Sequence, residues 1–180
     1  MRDLTLLGLC GSLRTESFNR KLMHVAAKSF GPAQFTEGDL NLPLFNEDVE
    51  AQGMPQAVTR LKEQVKAADA VVIACPEYNK APPGVLKNAL DWLSRGGQPW
   101  TDKPVALVTA AAGRAGGERT QFALRLMMVT FRPYLLQGPE VLVSGPKDHF
   151  DEHGALVTES YQGLLTDLMA ALRSAAEARS

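Results

Sequence analysis

A chain of 180 residues with a formal net charge of -1 at neutral pH carries no electrostatic footprint for nucleic acid or for an anionic membrane. With 45% hydrophobic and 22% charged residues it can bury a real core, which argues against disorder and predicts one compact α/β domain over residues 1–180. The start Met1-Arg2-Asp3 runs straight into a strand-like segment and no stretch reaches the length of a membrane span, so the expected location is cytoplasmic, with no membrane partner. Cys10 and Cys75 each end an apolar run, where reduced, buried thiols are the default of that compartment.

The first such run, Leu4 to Cys10, reads as a strand, and a helix follows with Leu22, Val25, Ala26 and Phe30 at helical spacing, stopped by Gly31-Pro32. Between them lies the turn from Gly11 to Asn19. The first amides of a helix have no intrahelical partner and carry the positive end of its dipole, so such a turn can hold a phosphate. Gly11 lets the backbone approach closely, Ser12 and Ser17 offer hydroxyls, Asn19 an amide, and Arg14 a planar charged fork. The same residues also fit a plain helix cap at Ser17 or Asn19 with a solvated Arg14. Neither the Gly-x-Gly-x-x-Gly fingerprint nor the Gly-x-x-x-x-Gly-Lys-Ser/Thr loop is present.

Further along, Ala33 to Glu37 reads as a second strand, Leu40 to Asn46 as an ordered loop, and Pro55 opens a helix to Ala68 with Val58, Leu61 and Val65 facing inward. Ala70 to Cys75 and Pro104 to Ala110 are continuous apolar runs, the pattern of strands covered on both faces. The loop Pro76 to Pro83 and a helix from Gly84 to Ser94 follow the first of these, and the small-residue loop Ala111 to Gly117 follows the second. The next helix, Glu118 to Phe131, is apolar over more than one face. Val141 to Val143 reads as a last short strand, and Leu164, Leu165, Leu168, Met169 and Leu172 mark a C-terminal amphipathic helix. Strands alternating with helices imply a parallel sheet with right-handed crossovers, and ligands then bind at the carboxyl ends of the strands. The loops Gly11 to Phe18, Pro76 to Pro83 and Ala111 to Gly117 should therefore face one crevice. His24, His149 and His153 are scattered, without metal-ligand spacing, so neither a metal site nor a catalytic side chain is predicted.

Gly11-Ser12-Leu13-Arg14 with Ser17-Phe18-Asn19, then Pro76-Glu77-Tyr78-Asn79, then the stretch Pro83-Gly84-Val85-Leu86-Lys87-Asn88-Ala89-Leu90-Asp91-Trp92-Leu93-Ser94-Arg95, together resemble the NAD(P)H-dependent FMN reductases. This is the flavodoxin-like group that includes quinone, chromate and azo reductases. The resemblance continues through Gly116 to Gln121, Leu124-Arg125 and Phe150-Asp151-Glu152. It implies a flavodoxin-like three-layer sandwich with a five-stranded parallel sheet, bound FMN, NAD(P)H as donor and a small-molecule electron acceptor. It also implies a ping-pong cycle and a homodimer or homotetramer. In the first loop it makes Ser12, Arg14, Ser17 and Asn19 direct ligands of the FMN phosphate, with Leu13, Thr15, Glu16 and Phe18 completing the binding turn. Pro76, Glu77, Tyr78 and Asn79 would lie along the isoalloxazine, and Ala111 and Gly113 would close over it.

Two stretches depart from the family pattern. Ala110, Ala111 and Ala112 stand where relatives often carry hydroxyls, leaving only backbone contacts there, and Lys80-Ala81-Pro82 replaces a differently composed segment. Lys80 and Arg114 offer charge to an anionic acceptor or to the phosphates of NADPH, or are simply solvated. Lys87, Asp91 and Arg95 fall four apart on one helical face, either a salt-bridged seam against a partner subunit or a solvated face. The alternatives to an enzyme are an electron carrier, a class normally far more acidic than this chain, and a regulatory flavin-binding protein.

Overall fold

The computed structural model describes residues 3–179. Its elements run β1 (Thr5–Cys10), α1 (Phe18–Phe30), β2 (Gln34–Gly38), α2 (Glu47–Ala51), α3 (Gln56–Ala67), β3 (Ala70–Ala74), α4 (Gly84–Leu93), β4 (Pro104–Ala111), α5 (Glu118–Met128), β5 (Tyr134–Leu135), β6 (Val141–Ser144) and α6 (Glu159–Glu177), alternating except at the helix pair α2–α3 and the strand pair β5–β6. Every strand pair is parallel, in the order β2-β1-β3-β4-β5, with β6 also paired to β4. β5 meets Pro104 and Val105, whereas β6 meets Val108 to Ala111. Both lie on the edge of β4 that β3 does not occupy, so the expected fifth strand is present in two pieces. This is the flavodoxin strand order.

The unbroken apolar runs of β1, β3 and β4 follow from burial on both faces. Ala70, Val72 and Ala74 of β3 and Ala106, Val108 and Ala110 of β4 pack under Leu22, Met23 and Ala26 of α1 and Leu165, Leu168 and Leu172 of α6. Val71, Ile73, Val105 and Leu107 pack on the opposite face under Leu61, Val65, Leu86, Leu90 and Leu124 from α3, α4 and α5. Two local features differ from the sequence expectation. A short helix, α2, is capped by Asn46, whose Oδ1 accepts from the Asp48 amide at 2.9 Å. The helix expected to reach Phe131 ends at Met128 and continues as a 3-10 turn, Val129–Phe131.

The long motif on α4 is an anchor for the loop before α2. Asn88 Nδ2 and Trp92 Nε1 both donate to the Pro43 carbonyl, at 2.9 and 2.8 Å, and the Phe45 amide donates to Asn88 Oδ1 at 2.8 Å. Arg95 pairs with Glu50 at 2.8 Å and lies over the Phe45 ring. Arg95 is therefore engaged within its own chain, while Lys87 and Asp91 form an exposed pair along the helix at 2.5 Å.

Candidate active site

At the carboxyl ends of β1, β3 and β4 the three loops converge on a cleft of ≈ 540 Å³. Of the residues expected there, Ser12, Arg14, Ser17, Phe18 and Asn19 line it from the first loop, Pro76, Glu77 and Tyr78 from the second, and Ala111 from the third. Leu13 opens instead toward a neighbouring groove with Arg20 and Glu37. Thr15 and Glu16 are exposed on the outside of the turn, with Glu16 paired to Lys21 at 3.4 Å. Asn79 sits at a turn tip, and Gly113 lines a second cavity described below. The remaining wall, Gly145 to Asp148, comes from the carboxyl end of β6 and has no motif of its own. The Gly145-Pro146 break after a strand was the available signal, because every parallel strand delivers its following loop to the same rim.

The first loop is built to leave donors free. Ser17 occupies the N-cap position of α1, yet its hydroxyl makes no capping bond and no acidic residue stands in the first turn. The Gly11 amide bonds the Ala74 carbonyl at 2.8 Å, which pins the start of the turn to β3. A Cβ at Gly11 would lie 3.1 Å from Cys75 Sγ and 3.3 Å from Pro76 Cδ, so the close approach of the two loops leaves little room for a side chain there. Ser12 Oγ accepts weakly from the Arg14 amide at 3.4 Å, and among the described residues the Arg14 guanidinium has only a long contact to the Glu16 carbonyl, at 3.5 Å. Beneath the turn, burial pushes the Cys10 thiol above its ordinary range, opposed by the Ser12 backbone and the Ser17 hydroxyl.

Asn19, expected among the phosphate ligands, is bonded to β4. Its Nδ2 donates to the Ala110 carbonyl at 2.8 Å and its Oδ1 accepts from the Ala110 amide at 2.9 Å. The carboxamide thus lines the cleft while being held by β4, with one Nδ2 proton left over.

In the second loop, Tyr78 and Ala81 exchange backbone hydrogen bonds at 2.9 and 3.1 Å around Asn79 and Lys80, both at positive φ (52° and 67°). This is the two-residue geometry of a type I′ turn, and it leaves the half-exposed Tyr78 ring on the cleft wall. Glu77 reaches across to α5, where its Oε2 accepts from the Thr120 amide at 3.4 Å. The N-cap of that helix is Gly117, which has no side chain to do so. The third loop folds back tightly. Thr109 Oγ1 donates to the Gly116 carbonyl at 2.7 Å, and a Cβ on Gly116, at φ +59°, would lie 2.5 Å from the Leu142 carbonyl. Ala111 and Ala112 accordingly present methyl groups and backbone.

No histidine lines the cleft, and among the described residues no group of three metal-ligating side chains exists. The arrangement has a cationic, donor-rich end at Arg14 and the α1 amides and a flatter region between Tyr78, Ala111 and Pro146. Its chemistry suits a ligand with a planar body and an anionic tail.

Comparison with known proteins gives the same direction. The model of the family described as NADPH-dependent FMN reductase matches residues 4–148. An NAD(P)H-dependent FMN reductase of Pseudomonas aeruginosa is 42% identical over 174 residues, covering 95% of this chain and 94% of the relative. A quinone reductase of Pseudomonas putida is 41% identical over 152 residues, 81% of each chain. Among solved structures, the flavoenzyme NAD(P)H:(acceptor) oxidoreductase FerB of Paracoccus denitrificans superposes with a TM-score of 0.88 at 30% identity, covering 97% of this chain and 98% of that one.

Proposed function

The chain belongs to the NADPH-dependent FMN reductase family, and from that premise we propose an enzyme of one flavodoxin-like domain that reduces small acceptors, quinones foremost, by a ping-pong cycle. It is an oxidoreductase that uses FMN and NAD(P)H. The cleft fits FMN: the uncapped α1 N-terminus, the Ser12 and Ser17 hydroxyls and Arg14 form the anionic end, and Tyr78 with the Pro76–Glu77 and Ala111 backbone borders the flat region. When bound, FMN supplies the redox chemistry, accepting a hydride from the nicotinamide and passing two electrons to the acceptor. The protein binds and orients. Ser12, Arg14 and Ser17 would hold the phosphate, Asn19 holds the end of β4 in place, and Ala111 and Ala112 offer methyls and backbone to the cleft.

The observation that carries the ping-pong reading is the layout of the cleft. The three loops converge on a single cleft, and one flavin face at one cleft is a place where a planar donor and a planar acceptor take turns. The quinone reductase among the relatives supports quinones as acceptors. Phe122 and Leu126 on α5 and Val129 in the 3-10 turn that continues it form an exposed stripe, 57%, 75% and 69% accessible, which supports a homodimer or homotetramer. Two buried free thiols suit a cytoplasmic location, and among the described residues no helix is long and apolar enough to cross a membrane.

The test is anaerobic titration of the FMN-loaded protein with NADH and NADPH, followed by steady-state rates at several fixed quinone concentrations. Bleaching of the flavin by donor alone and parallel double-reciprocal lines are expected. A flavin that stays oxidised in excess of both donors would support the electron-carrier alternative, and intersecting lines would replace the ping-pong cycle with a ternary complex.

A further inference from the structure

A second cavity of ≈ 440 Å³ adjoins the cleft and shares Glu77, Ala111 and Ala112 with it. The two alanines form the low boundary between them. On its other side the second cavity is lined by Arg114 and Arg119. Both are exposed, and among the described residues neither guanidinium makes a side-chain hydrogen bond or ion pair. Arg20, Arg95 and Arg173, by contrast, each pair with a carboxylate. The cavity also holds two carboxylates, but among the described residues neither forms an ion pair with the cations, and Glu77 is turned to the Thr120 amide. Because Glu77 already meets the N-terminus of α5, the attraction for an anion comes from the two guanidinium groups themselves.

We propose that this cavity receives the diphosphate of the nicotinamide dinucleotide, with Arg114 and Arg119 as its cationic contacts. The inference rests on the reading of NAD(P)H as donor in the adjoining cleft. One ribose separates a nicotinamide ring from the diphosphate, so a ring lying over the cleft places the diphosphate in the next available space, and the space across Ala111–Ala112 is the one carrying unpaired planar cations. Guanidinium groups match phosphate oxygens in both charge and geometry. The cation supplied by Arg114 extends the sequence expectation for that residue, whereas Arg119 acquires a role only from the fold. Lys80, the other loop cation, lies in neither cavity lining.

The experiment uses FMN-loaded wild type, Arg114→Ala, Arg119→Ala, the double variant and Arg119→Lys. Stopped-flow reduction of the flavin should show the apparent dissociation constant for NADH and for NADPH rising by the same factor, about tenfold per arginine, with the limiting reduction rate unchanged. The lysine variant should recover part of the loss. ADP, which carries a diphosphate but no nicotinamide, should bind wild type by calorimetry and fail to bind the double variant. Unchanged donor affinity in the double variant, or a rise confined to NADPH, which would place the 2′-phosphate there instead, overturns the proposal. If neither donor reduced wild type, the proposed function itself would fall, and the ADP calorimetry would still decide whether the cavity holds a diphosphate.

Discussion

Asn19 on α1 continues the sheet where β3 runs out. β3 ends at Ala74, paired with Val108, and the Cys75 amide bonds the Val108 carbonyl at 3.0 Å. Two residues further on, Ala110 turns its amide and carbonyl to the same side, and the Asn19 carboxamide accepts from one and donates to the other. A side chain stands in for the next peptide of the missing strand. Both pairs are buried, Asn19 at 3% and Ala110 at 3% accessible, so neither backbone group can turn to water.

Asn19→Ala should therefore destabilise the protein by about 2–6 kcal/mol, since it strands two buried backbone groups at about 1–3 kcal/mol each. Asn19→Asp, which keeps an acceptor for the Ala110 amide but faces the carbonyl with an oxygen, should fall at least as far. Urea denaturation checks this, and a midpoint for Asn19→Ala equal to that of wild type would remove the strand-continuing role.

Arg14→Ala should weaken FMN binding without lowering the stability of the apoprotein, because the guanidinium is exposed and among the described residues holds nothing but a long contact to Glu16. A charge-assisted phosphate contact is worth about 1.5–3 kcal/mol, so affinity should drop roughly ten- to a hundredfold. Flavin fluorescence titration reads the change directly. Retention equal to wild type would move the phosphate elsewhere.

Lys80 occupies the second central position of the Tyr78–Ala81 turn at φ 67°, a conformation that costs an L-residue about 1–2 kcal/mol. Lys80→Gly removes that cost and adds about 0.5–1 kcal/mol of unfolded-state entropy. The first effect wins, and the variant should gain about 0.5–1 kcal/mol. A lower thermal midpoint would mean that the lysine side chain contributes a contact of its own.

Burial raises the pKa of Cys10 and Cys75 above the ordinary value of 9.0, for Cys75 with a further push from Cys10. The folded state then keeps protons that the unfolded chain releases, so stability is fully present below pH 9.0 and declines as pH rises beyond it. Both thiols should also resist iodoacetamide at pH 8 and react only when urea opens the fold. Rapid labelling of either cysteine in native buffer would contradict the packing described.

Leu126→Glu places a charge in the centre of the exposed stripe formed with Phe122 and Val129. Light scattering should give a multiple of 19.5 kDa for wild type and a smaller assembly for the variant. Wild type at the monomer mass at micromolar concentration would leave the stripe without a subunit partner.

The sequence by itself determined the elements whose signal is local. Unbroken apolar runs marked β1, β3 and β4 because burial on both faces removes alternation, and glycine, serine and proline at the run ends marked the loops that meet at the cleft. What only the tertiary structure decided depends on partners distant in the chain. Asn19 was legible as a polar residue in a helix's first turn, but not as the partner of Ala110, 91 residues away. Glu77 was legible as part of a motif, but not as the acceptor for an amide of α5, nor Arg95 as the partner of Glu50. β5 has two residues, too few to carry a period, and exists as a strand because the edge of β4 offers it backbone partners. Gly145 to Asp148 reach the cleft because β6 pairs with β4 in register; the Gly145-Pro146 break marks where the strand ends, and the pairing decides where that end lies.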